Sequence, residues 1–189
     1  LPVALAQGVF PAPISLVNTT YGGSGCPAGS VVPAFNSSLL SLQFNATRYA
    51  PSLGQGIGVA QNRKNCQIRA EILVPTNYSL TIWQNRVFGA AQLSEGVTAQ
   101  FLTTVYLSSG VQQTTSFRQI LKGPVNAPFA KTEETAFETP WTPCGASVVV
   151  VFNFNTQVRL DLQNQATSNA SGVIEPMLSQ NYDLTWMTC

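Results

Sequence analysis

The stretch that most restricts the fold is Ser147–Gln163, read as Ser-Val-Val-Val-Val-Phe-Asn-Phe-Asn-Thr-Gln-Val-Arg-Leu-Asp-Leu-Gln. Val148–Phe152 is an unbroken β-branched and aromatic run, which predicts a strand segment buried on both faces. From Phe154 the residues alternate: Val158, Leu160 and Leu162 take one face, and Gln157, Arg159, Asp161 and Gln163 the other. A strand this long needs neighbours of the same kind, and the chain supplies them. Leu40, Leu42 and Phe44 alternate across Ser38–Ala46, and Ile68, Ala70, Ile72 and Val74 across Gln67–Val74. Val97, Ala99, Phe101, Thr103, Val105 and Leu107 keep strict alternation. Further strands are expected over Tyr78–Gln84, Arg86–Leu93, Gln112–Leu121 and Tyr182–Met187, with turn signals about every 8 to 12 residues. The pattern predicts an all-β fold: a two-sheet antiparallel β-sandwich, jelly-roll-like, with about nine to eleven strands and little or no helix. Lys122–Pro128 reads as loop and Thr132–Glu138 as a short helical turn.

At 189 residues the chain is long enough for one well-packed domain. Residues 1–16 read as an extended arm rich in proline, and 17–189 as a single disulfide-stapled sandwich. Net charge is +1, so no footprint for nucleic acid is visible, and no apolar run reaches the length of a transmembrane helix. Only 9% of residues are charged, so amides and hydroxyls must cover most of the surface. Attached glycans or burial in an assembly would keep such a surface in solution.

Two signals set the compartment. Sequons occur at Asn18, Asn36, Asn45, Asn77 and Asn169, none with proline in the middle position. Four cysteines, Cys26, Cys66, Cys144 and Cys189, stand at wide spacing with no Cys-x-x-Cys pair. Together they predict a secreted, N-glycosylated, disulfide-bonded protein. Four cysteines allow three pairings. We expect Cys26–Cys66 and Cys144–Cys189, each closing a loop of about 40 to 45 residues and contributing about 4 kcal/mol by restricting the unfolded chain. Ala4-Leu5-Ala6 has the form of a signal-cleavage site, but no basic or long apolar segment precedes it; the reading is that a signal peptide has already been removed.

The chain contains no histidine, which excludes Ser-His-Asp and Cys-His nucleophile systems, histidine general bases and histidine-ligated metals. Carboxylates remain: Glu71, Glu95, Glu133, Glu134, Glu138, Asp161, Glu175 and Asp183. Two at suitable spacing would serve glycoside hydrolysis, and one Glu beside a Gln on a sandwich would resemble the glutamic peptidases. Glu133, Glu134 and Glu138 are weak candidates for a hard cation; they lack an EF-hand spacing and read as a solvated acidic loop. The Gly54-x-Gly56-x-Gly58 spacing has no preceding strand and no Gly-Lys-Ser/Thr ending, so it reads as surface loop and not as a phosphate cradle. Trp83 and Tyr106 fall on the faces opposite the apolar ones, where aromatic rings would meet sugar rings, although Trp83 also suits packing beneath a loop. Trp141 and Trp186 are expected to pack on the second disulfide. No cofactor is expected.

The segments Gly22-Gly-Ser-Gly-Cys-Pro27, Arg63-Lys-Asn-Cys-Gln67, Trp141-Thr-Pro-Cys-Gly145, Val158-Arg-Leu160 and Leu184-Thr-Trp-Met-Thr-Cys189 resemble, in order, a secreted family of filamentous fungi, the domain of unknown function numbered 4360. The resemblance spans about Val17 to Cys189. It implies a secreted β-rich domain with these four cysteines paired, and it implies no activity. The sequence thus reads as a non-enzymatic structural or interaction protein of the extracellular space or cell wall, associating with itself through the arm and the sheet edges. The alternative is a carbohydrate-binding module for wall polysaccharide; a hydrolase using carboxylates stands third.

Overall fold

The computed structural model describes residues 13–37, 41–108, 114–135, 140–163 and 169–189. Twelve strands are present: β1 (Ser15–Gly22), β2 (Val31–Asn36), β3 (Ser41–Ala46), β4 (Ser52–Leu53), β5 (Arg63–Val74), β6 (Tyr78–Leu93), β7 (Val97–Leu107), β8 (Thr114–Lys122), β9 (Val125–Glu134), β10 (Val148–Leu162), β11 (Gly172–Ile174) and β12 (Leu178–Thr188). The count exceeds the expected nine to eleven because β4 and β11 are too short to show a period. A single 3-10 turn, Val59–Gln61, is the one helical element among the described residues.

The strands form two antiparallel sheets packed as a sandwich. One is five-stranded in the order β1-β5-β10-β7-β8. In the other, β12 pairs with the first part of β6 and β11 with its end, while β9 runs along the opposite side of β6. Beyond β12 lie β3 and then β2, and β4 adjoins β11. The Ser147–Gln163 stretch is β10, at the centre of its sheet. Its first residues depart from the expectation of burial on both faces: Val148 and Val149 are 40% and 43% exposed, while Val150 and Phe152 face the core. Among the described residues no element packs over the outer face of the five-stranded sheet, so Val149 turns to water, and Val148 is exposed at the start of the strand.

Three further expectations are corrected. Tyr78–Gln84 and Arg86–Leu93 are one 16-residue strand, β6. Trp83 is the extra residue of a bulge there, because Asp183 pairs with Gln84 and Leu184 with Ile82. Lys122–Pro128 and Thr132–Glu134 are largely strand, not loop and helical turn. Lys122 ends β8 and Val125–Glu134 form β9, whose Pro128 is accommodated because β9 has ladder pairing with β6 alone. The expected strand over Ser38–Ala46 is β3, with 38–40 outside the described residues. At the N-terminal side, β1 begins at Ser15, and Ile14 is already buried.

The core is aromatic where the two sheets meet. Tyr182 of β12 packs on Phe154 of β10 at 4.5 Å between ring centroids and on Phe44 of β3 at 5.9 Å. A buried polar chain runs through the same place. The Tyr182 hydroxyl donates to Gln180 Oε1 (2.6 Å), and Gln180 Nε2 donates to Thr156 Oγ1 (2.8 Å). The Thr156 hydroxyl meets that of Tyr49 (3.2 Å), and Thr103 reaches the Tyr182 hydroxyl (3.2 Å). Because β12 and β10 belong to different sheets, these bonds fix how one sheet sits over the other, which apolar contact alone does loosely.

Both disulfides pair as expected. Cys26–Cys66 joins the β1–β2 crossover to β5 and is buried in the core. The preceding glycines are required there: a Cβ on Gly25 would overlap the Tyr49 ring, and Gly23 lies against the Asn65 carbonyl at φ +151°. Cys144–Cys189 is exposed. It brackets the β5–β6 turn, where Asn77 N–H donates to Gly145 O (3.0 Å) and Cys189 N–H donates to Asn77 O (2.9 Å).

Candidate functional site

Alternation along four strands of the five-stranded sheet puts every second side chain on its open face, and that face is polar. Strand register aligns Thr20, Arg69, Asn153, Tyr106 and Thr114 in one row across β1, β5, β10, β7 and β8. The next row is Gly22, Gln67, Asn155, Thr104 and Ser116. Between the two rows lies an open groove of about 380 Å³. Tyr106 forms one wall and is 41% exposed. Gly22 leaves the opposite end open, since a Cβ there would meet nothing within 4 Å.

The groove's polar groups are partly fixed and partly free. Asn153 Nδ2 donates to Ser108 Oγ (2.7 Å) and weakly to the Tyr106 carbonyl (3.5 Å), which leaves its Oδ1 as an acceptor. Arg69 is held by Glu71 at 2.7 Å. Gln67 and Asn155 make no side-chain hydrogen bond to another described residue. An aromatic wall, one guanidinium and several amides on a rigid sheet suit a hydroxyl-rich ligand, which offers paired donors and acceptors on an otherwise apolar ring.

Of the two expected aromatic contacts, the structure therefore places Tyr106 at a groove. Trp83 is half-buried on the other sheet, where its carbonyl accepts from Thr135 N–H (2.9 Å). The two residues do not share a site. Trp186 stacks edge-on against Tyr78 at 5.7 Å, and Trp141 is half-buried. Asn18, Asn36, Asn45, Asn77 and Asn169 are all exposed, the condition for carrying glycans.

The carboxylates are dispersed. Glu133 and Glu134 are consecutive in β9 and turn to opposite sides: Glu133 accepts from the Arg118 backbone N–H, and Glu134 from Gln84 Nε2 (2.8 Å). Partial burial raises the Glu133 pKa, against the lowering effect of the Arg118 bond. Glu138 lies outside the described residues. Asp161 pairs with Arg159 at 2.6 Å and Asp183 with Arg86 at 2.7 Å. Two Glu–Gln pairs occur among the described residues, Glu134 with Gln84 and Glu175 with Gln92 (Nε2 to Oε1, 2.9 Å); neither lines the groove beside Tyr106. No cluster of three or more metal-ligating side chains occurs among the described residues.

Residues 12–189 match the family described as domain of unknown function DUF4360. The chain belongs to this family. A curated DUF4360-like relative, an uncharacterized secreted protein of Arthroderma benhamiae, is 30% identical over 199 residues, covering the whole of this chain and 78% of the relative. Among solved structures, TmCBM61 in complex with β-1,4-galactotriose aligns at 10% identity and TM-score 0.30, over 97% of this DUF4360 chain and 100% of the other. TmCBM27, a carbohydrate-binding module described for mannan recognition, aligns at 10% identity and TM-score 0.31, over 90% and 99%. Likeness at that level carries no inference about ligand or function.

Proposed function

We propose that the protein is a secreted, N-glycosylated, non-enzymatic domain that binds polysaccharide of the extracellular space or cell wall on the open face of its five-stranded sheet. The observation that supports this reading is the groove between the Tyr106 and Asn155 rows, with an exposed aromatic wall and unengaged amides on rigid strands. Secretion is supported by the disulfides, the exposed sequons and the secreted relative.

Self-association through residues 1–16 and the sheet edges has less in its favour. Apart from the two-residue β4, each edge strand carries a feature that hinders pairing. β1 has a bulge at Val17 followed by the Asn18 sequon, β2 contains Pro33, β9 contains Pro128, and the Arg118 N–H of β8 is taken by Glu133.

Affinity electrophoresis against a panel of wall polysaccharides tests the proposal. At least one polymer should retard the native protein, and Tyr106→Ala should weaken that binding by about tenfold or more, as loss of a central aromatic contact does. Retardation by no polymer, or binding indifferent to Tyr106→Ala, would count against it.

A further inference from the structure

The charge of this molecule is sorted by face. The open face of the five-stranded sheet carries Arg63 and Arg69 of β5, Arg159 of β10, and Arg118 and Lys122 of β8. Against these five cations of the chain's nine stand two carboxylates, Glu71 and Asp161. Each of the two is engaged by its own arginine, two residues away on the same strand. Arg63 and Lys122 form no ion pair with a described carboxylate; Arg118 has the Gln100 amide group against its guanidinium and the Glu133 carboxylate, at the β8 edge, on its backbone N–H.

The register makes the imbalance local. Arg159 lies directly opposite Arg63, and on its other side opposite Gln100. Like charges facing one another across strands are destabilising, and a chain with so few charges has no need to place two there. Toward the groove the same strands carry Asn65, Gln67, Asn155 and Gln157, a polar track without charge. The track from Arg69 at the groove to Arg63 spans seven residues of β5, roughly 20 Å of extended strand.

We infer that the ligand of this face is an acidic polysaccharide, a polyuronate, which enters at the Tyr106 groove and runs along β5 and β10 to the Arg63–Arg159–Arg118 cluster. The inference rests on the polysaccharide-binding reading above and adds the chemical class. Amides and Tyr106 would take the sugar hydroxyls and ring faces, and the guanidinium groups would take carboxylates in the planar, two-point geometry that suits them.

The test uses the full native protein, with polygalacturonate as the acidic probe and soluble β-glucan and mannan as neutral probes. Calf-thymus DNA and anionic phosphatidylserine vesicles serve as polyanion controls. Polygalacturonate should bind more tightly than either neutral polymer, and the preference should shrink from low salt to 0.5 M salt through screening. The double variant Arg63→Gln/Arg118→Gln should lose about three- to tenfold in affinity for polygalacturonate and keep its melting temperature. Equal or tighter binding of a neutral polymer through Tyr106, without salt dependence, overturns this inference and leaves the polysaccharide reading intact. Unchanged polygalacturonate affinity in the double variant overturns it as well. DNA or vesicles binding as tightly as polygalacturonate overturns it as plain polyanion attraction. No polysaccharide binding at all overturns both.

Discussion

Tyr182 does more than fill space. Its ring packs on Phe154 and Phe44 while its hydroxyl donates to Gln180 and accepts from Thr103, so one side chain ties β12 to both β10 and β7. Replacing it with phenylalanine keeps the packing and strips the hydroxyl, leaving Gln180 Oε1 and Thr103 Oγ1 buried with a lost partner. Tyr182→Phe should cost about 1–3 kcal/mol in urea unfolding, more than a removed surface hydroxyl would. Burial also raises the Tyr182 and Tyr49 hydroxyls well above the ordinary value of 10.0. The unfolded chain ionises these phenols near that value while the folded chain does not. Their contribution to stability is therefore complete below pH 10.0 and declines as pH rises above it. Tyr182→Phe should show a shallower alkaline decline than the native protein, read from unfolding midpoints between neutral and strongly alkaline pH.

At the scale of elements, strand legibility followed how undisturbed the alternation was. β5, β7 and β10 stand in the middle of a sheet with one face in the core, and their apolar residues recur at every second position. β6 was split because the Trp83 bulge shifts the phase of everything after it. β9 was hidden by Pro124 just before it and Pro128 within it, the latter tolerated because β9 has ladder pairing with β6 alone. β1 and β2 were obscured by the surrounding Gly and Pro, whose role is to bring Cys26 round to β5. Of the candidate site, Tyr106 was visible as an aromatic on a polar face. The groove was not, because it is assembled from four strands distant in sequence. The sorting of charge was invisible for a simpler reason: a net charge of +1 averages over two faces. The edge prolines offer a test at this scale. Pro33→Thr combined with Pro128→Val should restore pairing-competent edges. Light scattering at increasing concentration should then show association where the native protein shows less, with the unfolding midpoint changed little.

Over the whole molecule, the two disulfides sit in opposite environments. Cys26 and Cys66 are shut in the core, whereas Cys144 and Cys189 are at the surface beside the β5–β6 turn. A mild reductant should therefore open Cys144–Cys189 first, seen as alkylation of those two residues by mass spectrometry while Cys26 and Cys66 stay unmodified. Removing either bridge by Cys→Ser pairs should cost about 4 kcal/mol if loop closure in the unfolded chain dominates. Sheet order has a further consequence for how the molecule is made. β10 fills the gap between β5 and β7, and β12 fills the gap between β3 and β6, yet both are among the last strands in the described chain. A ribosome adding residues from the N-terminal side leaves both sheets without their middles until these strands emerge. Folding is thus a late, all-at-once event, and the growing polypeptide waits with apolar strands uncovered, the interval in which sugars attached early to exposed asparagines would keep it from clumping.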